Sequence, residues 1–374
     1  MAPVQLPILH LSEGLTIDML YRFVTHLLLD PRFLMLLTLV RTRAIGQSPS
    51  NLLRHIILHD HGADPLSSAL VVCLGMSLVL WFNSWLSHAS RNNWVLNKKG
   101  GGDNKWGWDE RRSEVVVITG GLEMVRGFVD KAHAKVVILD VVEPKGGPFP
   151  NTTFYHCDLA SPQEIKKVCQ KVVEEVGQPS VLINNAGVVR SASILDSTTR
   201  DIDLTYDINV KSHYYTVQAF LPGMIKMGKG HIVTIASNTA YIQAAKGVSY
   251  AASKSSTLSF HEGLTEELRH MYGLSARSIR TSAILPGHVR GPMFDGFATG
   301  MPEWLMPSLE PKTVAGLVVR CVMSGESQFV IEPLYAKALP LVRALPTWVG
   351  DILYASAKNS LAQVQLDQSV KKVE

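Results

Sequence analysis

Tyr250 and Lys254 stand four residues apart in Tyr250-Ala251-Ala252-Ser253-Lys254. On a helix that spacing puts a phenol and an ammonium on one face. A free phenol has a pKa of about 10 and is a poor base at neutral pH. A positive charge beside it favours the phenolate and lowers that value. The pair then forms an acid/base able to take a proton from an alcohol or give one to a carbonyl oxygen. Ser237, thirteen residues before Tyr250, offers a hydroxyl to orient the same oxygen. Taken singly, a helix aromatic, a solvated lysine, a turn serine and a surface asparagine at Asn209 have plainer readings. Their joint spacing outweighs those readings.

Such residues need a scaffold that brings them to one edge. Apolar runs suited to buried strands cover 115–119, 136–139, 153–157, 180–183, 231–236, 278–285 and 328–331. They alternate with helical periods over 122–132, 162–176, 200–227, 249–272 and 311–323. The alternation predicts βαβ units and an α/β fold: a doubly wound parallel sheet in a single domain over 113–334. Ligands bind such sheets beyond the carboxyl ends of the strands. Every polar residue of interest lies at such an end or on the helix after it.

Five elements in order carry a resemblance: Asn184-Asn185-Ala186-Gly187, Ile208-Asn209-Val210, Ser237, Tyr250 with Lys254, and Pro286-Gly287. Together they make residues 113–334 similar to the short-chain dehydrogenase/reductases, whose fold is Rossmann-type. The resemblance implies hydride transfer between a nicotinamide and an alcohol or ketone, with Tyr250 as acid/base, Lys254 tuning it and Ser237 orienting the substrate. Asn209 would hold a water linking Lys254 to solvent. The dinucleotide would lie on Thr119, Gly120, Gly121, Asn185, Ala186, Gly187, Pro286, Gly287 and Val289, beside Tyr250 and Lys254. Asp158 would meet the adenine, with a helix cap as its competing reading. A homodimer through the helices of 200–227 and 249–272 is implied as well. Asp140 ends the second strand, twenty residues after Gly120. An acid there accepts hydrogen bonds from ribose hydroxyls and repels a 2′-phosphate, favouring NAD over NADP.

Two stretches depart from the pattern. The family's TGxxxGxG loop reads here Thr119-Gly120-Gly121-Leu122-Glu123-Met124-Val125-Arg126-Gly127. The interval to Asp140 is about five residues shorter than the resemblance implies, and the missing piece is the loop that approaches a pyrophosphate. Three readings stand: a splice or gene-model deletion from an active parent, favoured by the normal flanks; a short loop that binds cofactor weakly; a non-catalytic scaffold. An NADPH-linked ketone reductase is a further alternative. After Pro286-Gly287, Arg290-Gly291-Pro292-Met293 replaces a threonine expected on the nicotinamide amide, leaving that contact to the Val289 backbone.

Upstream the composition changes. No Asp, Glu, Lys or Arg occurs between Pro65 and Ser90. The 66–86 stretch is long enough to span a hydrocarbon core of about 30 Å. Trp81, Trp85 and Trp94 lie toward its far end, where such rings favour the interface. A buried core helix is the competing reading. Residues 16–29 place Ile17, Leu20, Tyr21, Val24, Leu27 and Leu28 on one face, as in a helix lying on a membrane. Residues 33–40 are apolar but too short to span, and Asp30-Pro31 would break a hairpin. The organisation expected is an arm at 1–64, a transmembrane segment at 65–90, a linker at 91–112, the catalytic domain, and an apolar arm with a tail at 335–374. Within twenty residues of the span, Arg91, Lys98, Lys99 and Lys105 follow it against Arg54 alone before it, so the catalytic part is expected in the cytosol, although Arg22, Arg32, Arg41 and Arg43 farther upstream nearly cancel the bias.

A net charge of +4 over 374 residues gives no argument for nucleic acid. The four cysteines are scattered, as in a reduced compartment. His55, His59 and His61 are read as polar surface rather than a metal site, and Asn151-Thr152-Thr153 as an unused sequon. Met293, Phe294, Phe297, Met301, Trp304 and Met306 would form an apolar lid over a lipophilic substrate, or pack on the domain or bilayer. Residues 334–354, interrupted by Pro340 and Pro346, would rest on a membrane. An anchor, a greasy lid and this arm resemble the membrane-bound retinol and 17β-hydroxysteroid dehydrogenases, with the epidermal retinol dehydrogenase-like branch nearest. That implies the endoplasmic reticulum or lipid droplets, and a retinoid, sterol or long-chain alcohol.

Overall fold

The computed structural model describes residues 16–25, 29–44, 65–94, 106, 108, 114–144, 149–294, 296 and 301–357. The linker glycines, His55, His59, His61, Phe297 and the C-terminal tail lie outside the described residues. The chain divides into two compact units, Met1–Trp94 and Val95–Glu374.

In the first unit α1 is Ile17–Phe23, α2 is Pro31–Ala44 and α3 is Pro65–Arg91. Asp30 starts α2: its carboxylate accepts from the Arg32 amide at 2.8 Å and from the Arg32 guanidinium. Pro31 then fits the first helical position. Helix α3 has 27 residues and is long and apolar enough to cross a membrane. Its buried residues are Ser67, Ser77 and Ala89, and those of α2 are Leu34, Thr38 and Thr42. The buried hydroxyls are partnered: Thr38 Oγ1 donates one turn back to Leu34 O at 2.7 Å, and Ser77 Oγ donates across to Leu29 O, 48 residues earlier. Leu78, Val79, Leu80, Trp81 and Phe82 face outward.

The second unit is a seven-stranded parallel sheet in the order β3-β2-β1-β4-β5-β6-β7. Its strands are β1 Val115–Thr119, β2 Lys135–Asp140, β3 Thr152–His156, β4 Val181–Asn184, β5 Gly230–Ile235, β6 Ile279–Pro286 and β7 Phe329–Glu332. Strand β1 reads VVVIT and is buried throughout because both faces are covered. On one face lie α4 (Leu122–Ala132) and α9 (Pro311–Met323), bringing Phe128 and Val318 to the core. Gly127 lets them cross closely: a Cβ there would stand 2.7 Å from Val319 Cγ2. The other face carries α5 (Pro162–Glu175), α7 (Ser212–Met227) and α8 (Val248–His270), which bury Ile165, Phe220 and Leu264. The strand order reverses between β1 and β4, the crevice where such sheets bind ligands.

The 200–227 stretch is not one regular helix. Helix α6 (Thr199–Tyr206), opened by a Thr198/Asp201 capping box, runs into a π-helical turn at Asp207–Lys211 before α7. Hydrophobic periodicity does not see one extra residue in a helical turn. The last elements are α10 (Leu339–Val342) and α11 (Thr347–Ala357). Trp106 belongs to the linker and packs at the amino ends of the strands. Lys229 Nζ lies 5.0 Å from its ring centroid, and a Cβ on Gly325 would meet Trp106 at 2.8 Å.

Candidate active site

Tyr250 and Lys254 occupy successive turns at the start of α8 and are both buried. Lys254 Nζ donates to Ile235 O at 2.9 Å, which fastens the ammonium to the end of β5. It lies 5.9 Å from the Tyr250 ring centroid. Two residues past β5, Ser237 sets its hydroxyl near the Tyr250 phenol. Ser237 Oγ also accepts from the Thr239 amide at 3.2 Å and donates to Asn238 Oδ1 at 3.3 Å. Phe294 sets its edge against Tyr250 at 5.9 Å between centroids, and His288 meets Phe294 at 5.9 Å.

Burial dominates the electrostatics. It pushes the Tyr250 phenol up to about 12, against the smaller lowering effect of the nearby Ser237 hydroxyl. It also brings Lys254 down to about 8. The sequence suggested that the lysine charge would pull the phenol down. In the folded chain desolvation is the larger effect, so Tyr250 rests as a proton donor at neutral pH.

Asn209 sits in the π turn, fully buried, with its side chain on the loop after β4. Its Oδ1 accepts from Val188 N at 2.8 Å, and its Nδ2 donates to Val188 O at 3.0 Å. A Cβ on Gly187 would lie 3.3 Å from Asn209 Oδ1 and 3.5 Å from Lys254 Nζ. Strand β1 and this loop are clasped by Thr119: its Oγ1 accepts from the amides of Asn185 at 2.9 Å and Ala186 at 3.0 Å.

Only Gly120 and Gly121 separate β1 from α4, and both have left-handed backbones, with φ of 67° and 80°. A Cβ on Gly121 would come within 2.8 Å of Asn185 Nδ2, and one on Gly120 within 3.6 Å of Asp140 Oδ2. The glycine pair, Asp140 and the amide-bearing start of α4 therefore surround one cradle that side chains would fill. This fits a dinucleotide; Glu123, in the first turn of α4, has its charge met by Arg126 at 3.7 Å.

Other residues singled out in the sequence have local partners in the structure. Asp158 Oδ1 accepts from the Ala160 amide at 2.9 Å, so its carboxylate shapes the turn before α5. The Gly287 amide donates to Glu332 O at 2.7 Å, and the Val289 backbone bridges to Leu309. Arg290 forks to Glu303 and Glu310, each at 2.6 Å, tying the stretch after Pro286-Gly287 to residues 303–310. Sequence reading singled out Arg290 but not its partners. It also passed over Ser253 and Thr257, which bond Asn209, and His213, buried in the same layer.

The sequence profile described as short chain dehydrogenase matches residues 114–301. The chain belongs to the short chain dehydrogenase family. Family membership makes it an NAD(P)-type oxidoreductase of the CH–OH/C=O pair. Among curated relatives of this short-chain dehydrogenase is "Dehydrogenase RED2" of Cochliobolus heterostrophus, 37% identical over 221 residues, covering 57% of this chain and 78% of that protein. Another is "Estradiol 17-beta-dehydrogenase 11" of Pongo abelii, 30% identical over 246 residues, covering 62% of this chain and 79% of that one. A solved short-chain dehydrogenase from Streptomyces avermitilis shares the fold, with a TM-score of 0.52 at 19% identity over 65% of this chain and 98% of that one.

Proposed function

We propose that this short-chain dehydrogenase is a membrane-associated, NAD-linked oxidoreductase of a lipophilic alcohol or ketone. The observation that carries the reading is Tyr250, Ser237 and Lys254 buried together at the carboxyl end of β5, under Phe294. Tyr250 gives its phenolic proton to a carbonyl oxygen in reduction and takes one from the alcohol in oxidation. Ser237 holds the same oxygen. Lys254 sets the charge beside the phenol. Asn209 keeps the loop after β4 in place. A bound nicotinamide supplies or accepts the hydride. Gly120, Gly121 and the start of α4 would hold its pyrophosphate, Asp140 its ribose hydroxyls, and Asn185, Ala186, Gly187, Pro286, Gly287 and Val289 its inner half. The carboxylate at Asp140 favours NAD over NADP.

A lipophilic substrate is supported by Phe294 on Tyr250 and by the estradiol dehydrogenase name among the relatives. Membrane association is supported by α3 and its outward apolar face. The proposal places the domain on the cytosolic side of the endoplasmic reticulum or a lipid droplet, as a homodimer. The two-residue turn after β1 favours a second reading, a scaffold that keeps the fold without binding dinucleotide. NADH decides between them. Saturation at 100 times Kd should stabilise the purified protein by about 2.7 kcal/mol. An unmoved melting temperature at millimolar NADH and NADPH selects the scaffold. Given binding, Tyr250→Phe should lower turnover about 10²- to 10⁴-fold. Preserved turnover removes Tyr250 as the acid/base.

A further inference from the structure

Three elements meet at Asn209: the loop after β4, the π turn and α8. The Asn209 side chain is fully used. Besides its two bonds to Val188, Nδ2 donates to Ser253 Oγ at 2.9 Å, and Ser253 Oγ donates onward to Tyr250 O at 2.7 Å. Ser253 stands directly before Lys254. Asn209 therefore grips both the loop that borders Lys254 Nζ and the helical turn that carries the catalytic pair.

The Asn209 backbone is held separately. A π turn displaces a carbonyl from the regular α-helical ladder, and a buried carbonyl needs a partner. Thr257 Oγ1 supplies one, 2.8 Å from Asn209 O. The same hydroxyl lies 2.9 Å from Ser253 O, the local carbonyl that a helical threonine ordinarily takes. A hydroxyl has one proton and cannot donate fully to both. Only the bond to Asn209 ties two elements together. Thr257 is itself fully buried, so no solvent competes for it.

We propose that Thr257 is a positioning residue of the active site. Its hydroxyl keeps the Asn209 carbonyl out of the α-helical register. The open turn lets the Asn209 side chain hold the Gly187-Val188 loop and the Tyr250–Lys254 turn in one alignment. This rests on the reading of Tyr250 and Lys254 as the catalytic pair.

The test compares Thr257→Val, the same shape without the hydroxyl, with Thr257→Ser, which retains it. Amide hydrogen exchange is measured on the full chain, with the pH profile of kcat for estradiol oxidation by NAD+. In the valine variant, exchange at Val188 and over 208–213 should speed about tenfold, while β1 and β2 keep their rates. Its kcat should fall and the midpoint of its pH profile should move, with KM for NAD+ unchanged. Serine should restore all of these. Exchange that rises evenly over the whole sheet, or is unchanged at Val188, overturns the proposal. So does a pH profile that stays put while kcat falls. If valine prevents folding, Thr257→Ala against Thr257→Ser decides by the same readouts, and if estradiol is not turned over the exchange contrast decides alone. A wrong catalytic pair would show differently: Tyr250→Phe would keep its turnover while the valine–serine exchange contrast persisted.

Discussion

Helices α3 and α8 are of similar length, 27 and 23 residues, yet they sort their residues in opposite ways. Helix α8 buries Leu258, Phe260, Leu264 and Leu268, as a helix does when water is the solvent. Helix α3 buries Ser67, Ser77 and Ala89 and turns Val79, Leu80 and Phe82 outward. Small and hydroxyl residues at a helix seam with apolar residues outside is the arrangement hydrocarbon favours, where packing rather than water exclusion holds helices together. The contrast teaches that the two units sort their residues by opposite rules, and that their stabilities answer to different substitutions.

The sharpest way to break this contrast is charge on the outer face of α3. Each arginine at the centre of a span costs about 2.5–3.5 kcal/mol of insertion. Val79→Arg with Leu80→Arg should therefore move the protein out of the membrane pellet. Ile194→Arg, on an exposed loop of the second unit, should change its urea midpoint by less than about 0.5 kcal/mol. A double-arginine variant that still pellets with microsomes would end the lipid reading of α3. A smaller effect sharpens the comparison from inside. Phe220→Ala, in the sheet's core, should cost about 3–5 kcal/mol in urea unfolding, whereas Phe82→Ala should leave that transition where it was. Equal losses would mean that both units are packed for water.

The effect that is smallest per step, because it is spread over several pH units, is acid sensitivity of the second unit. Burial lowers His213 and His231 each to about 3. Their folded pKa lies below the unfolded one, so the unfolded chain binds the extra protons first. Stability is thus full above about pH 6.5 and falls as pH drops toward 3, by up to about 1.4 kcal/mol per pH unit for each histidine. His213→Phe should flatten the urea midpoint against pH over that window. An unchanged slope would show that His213 takes up no proton deficit on folding.

The sheet was legible because each strand is a short apolar run and each helix has a clear period. Strand ends moved by a residue or two, as at β3, where Cys157 falls outside the strand. The gathering of Tyr250, Lys254 and Ser237 was legible because its spacing is local: Tyr250 and Lys254 share a helix, and Ser237 follows a strand end. What stayed hidden depends on pairing across long separations. Nothing near Arg290 names Glu303 and Glu310 as its partners, and nothing near Thr257 points 48 residues back to Asn209. The π turn escaped for a related reason, since its cause lies in the carbonyl that Thr257 claims. Burial was the other blind spot. Charge proximity is written in the i,i+4 spacing, but the desolvation that lifts Tyr250 is a property of the assembled core.

Trp106 has a mechanical consequence. It seats against Lys229, His231 and Gly325, at the ends of the strands where the chain enters the sheet, while Tyr250 and Ser237 gather at the opposite rim. Trp106 therefore closes the heel of the sheet, so that Trp106→Ala should loosen the amino ends of β5 and β7 and leave the spacing of Ser237, Tyr250 and Lys254 at the toe unchanged.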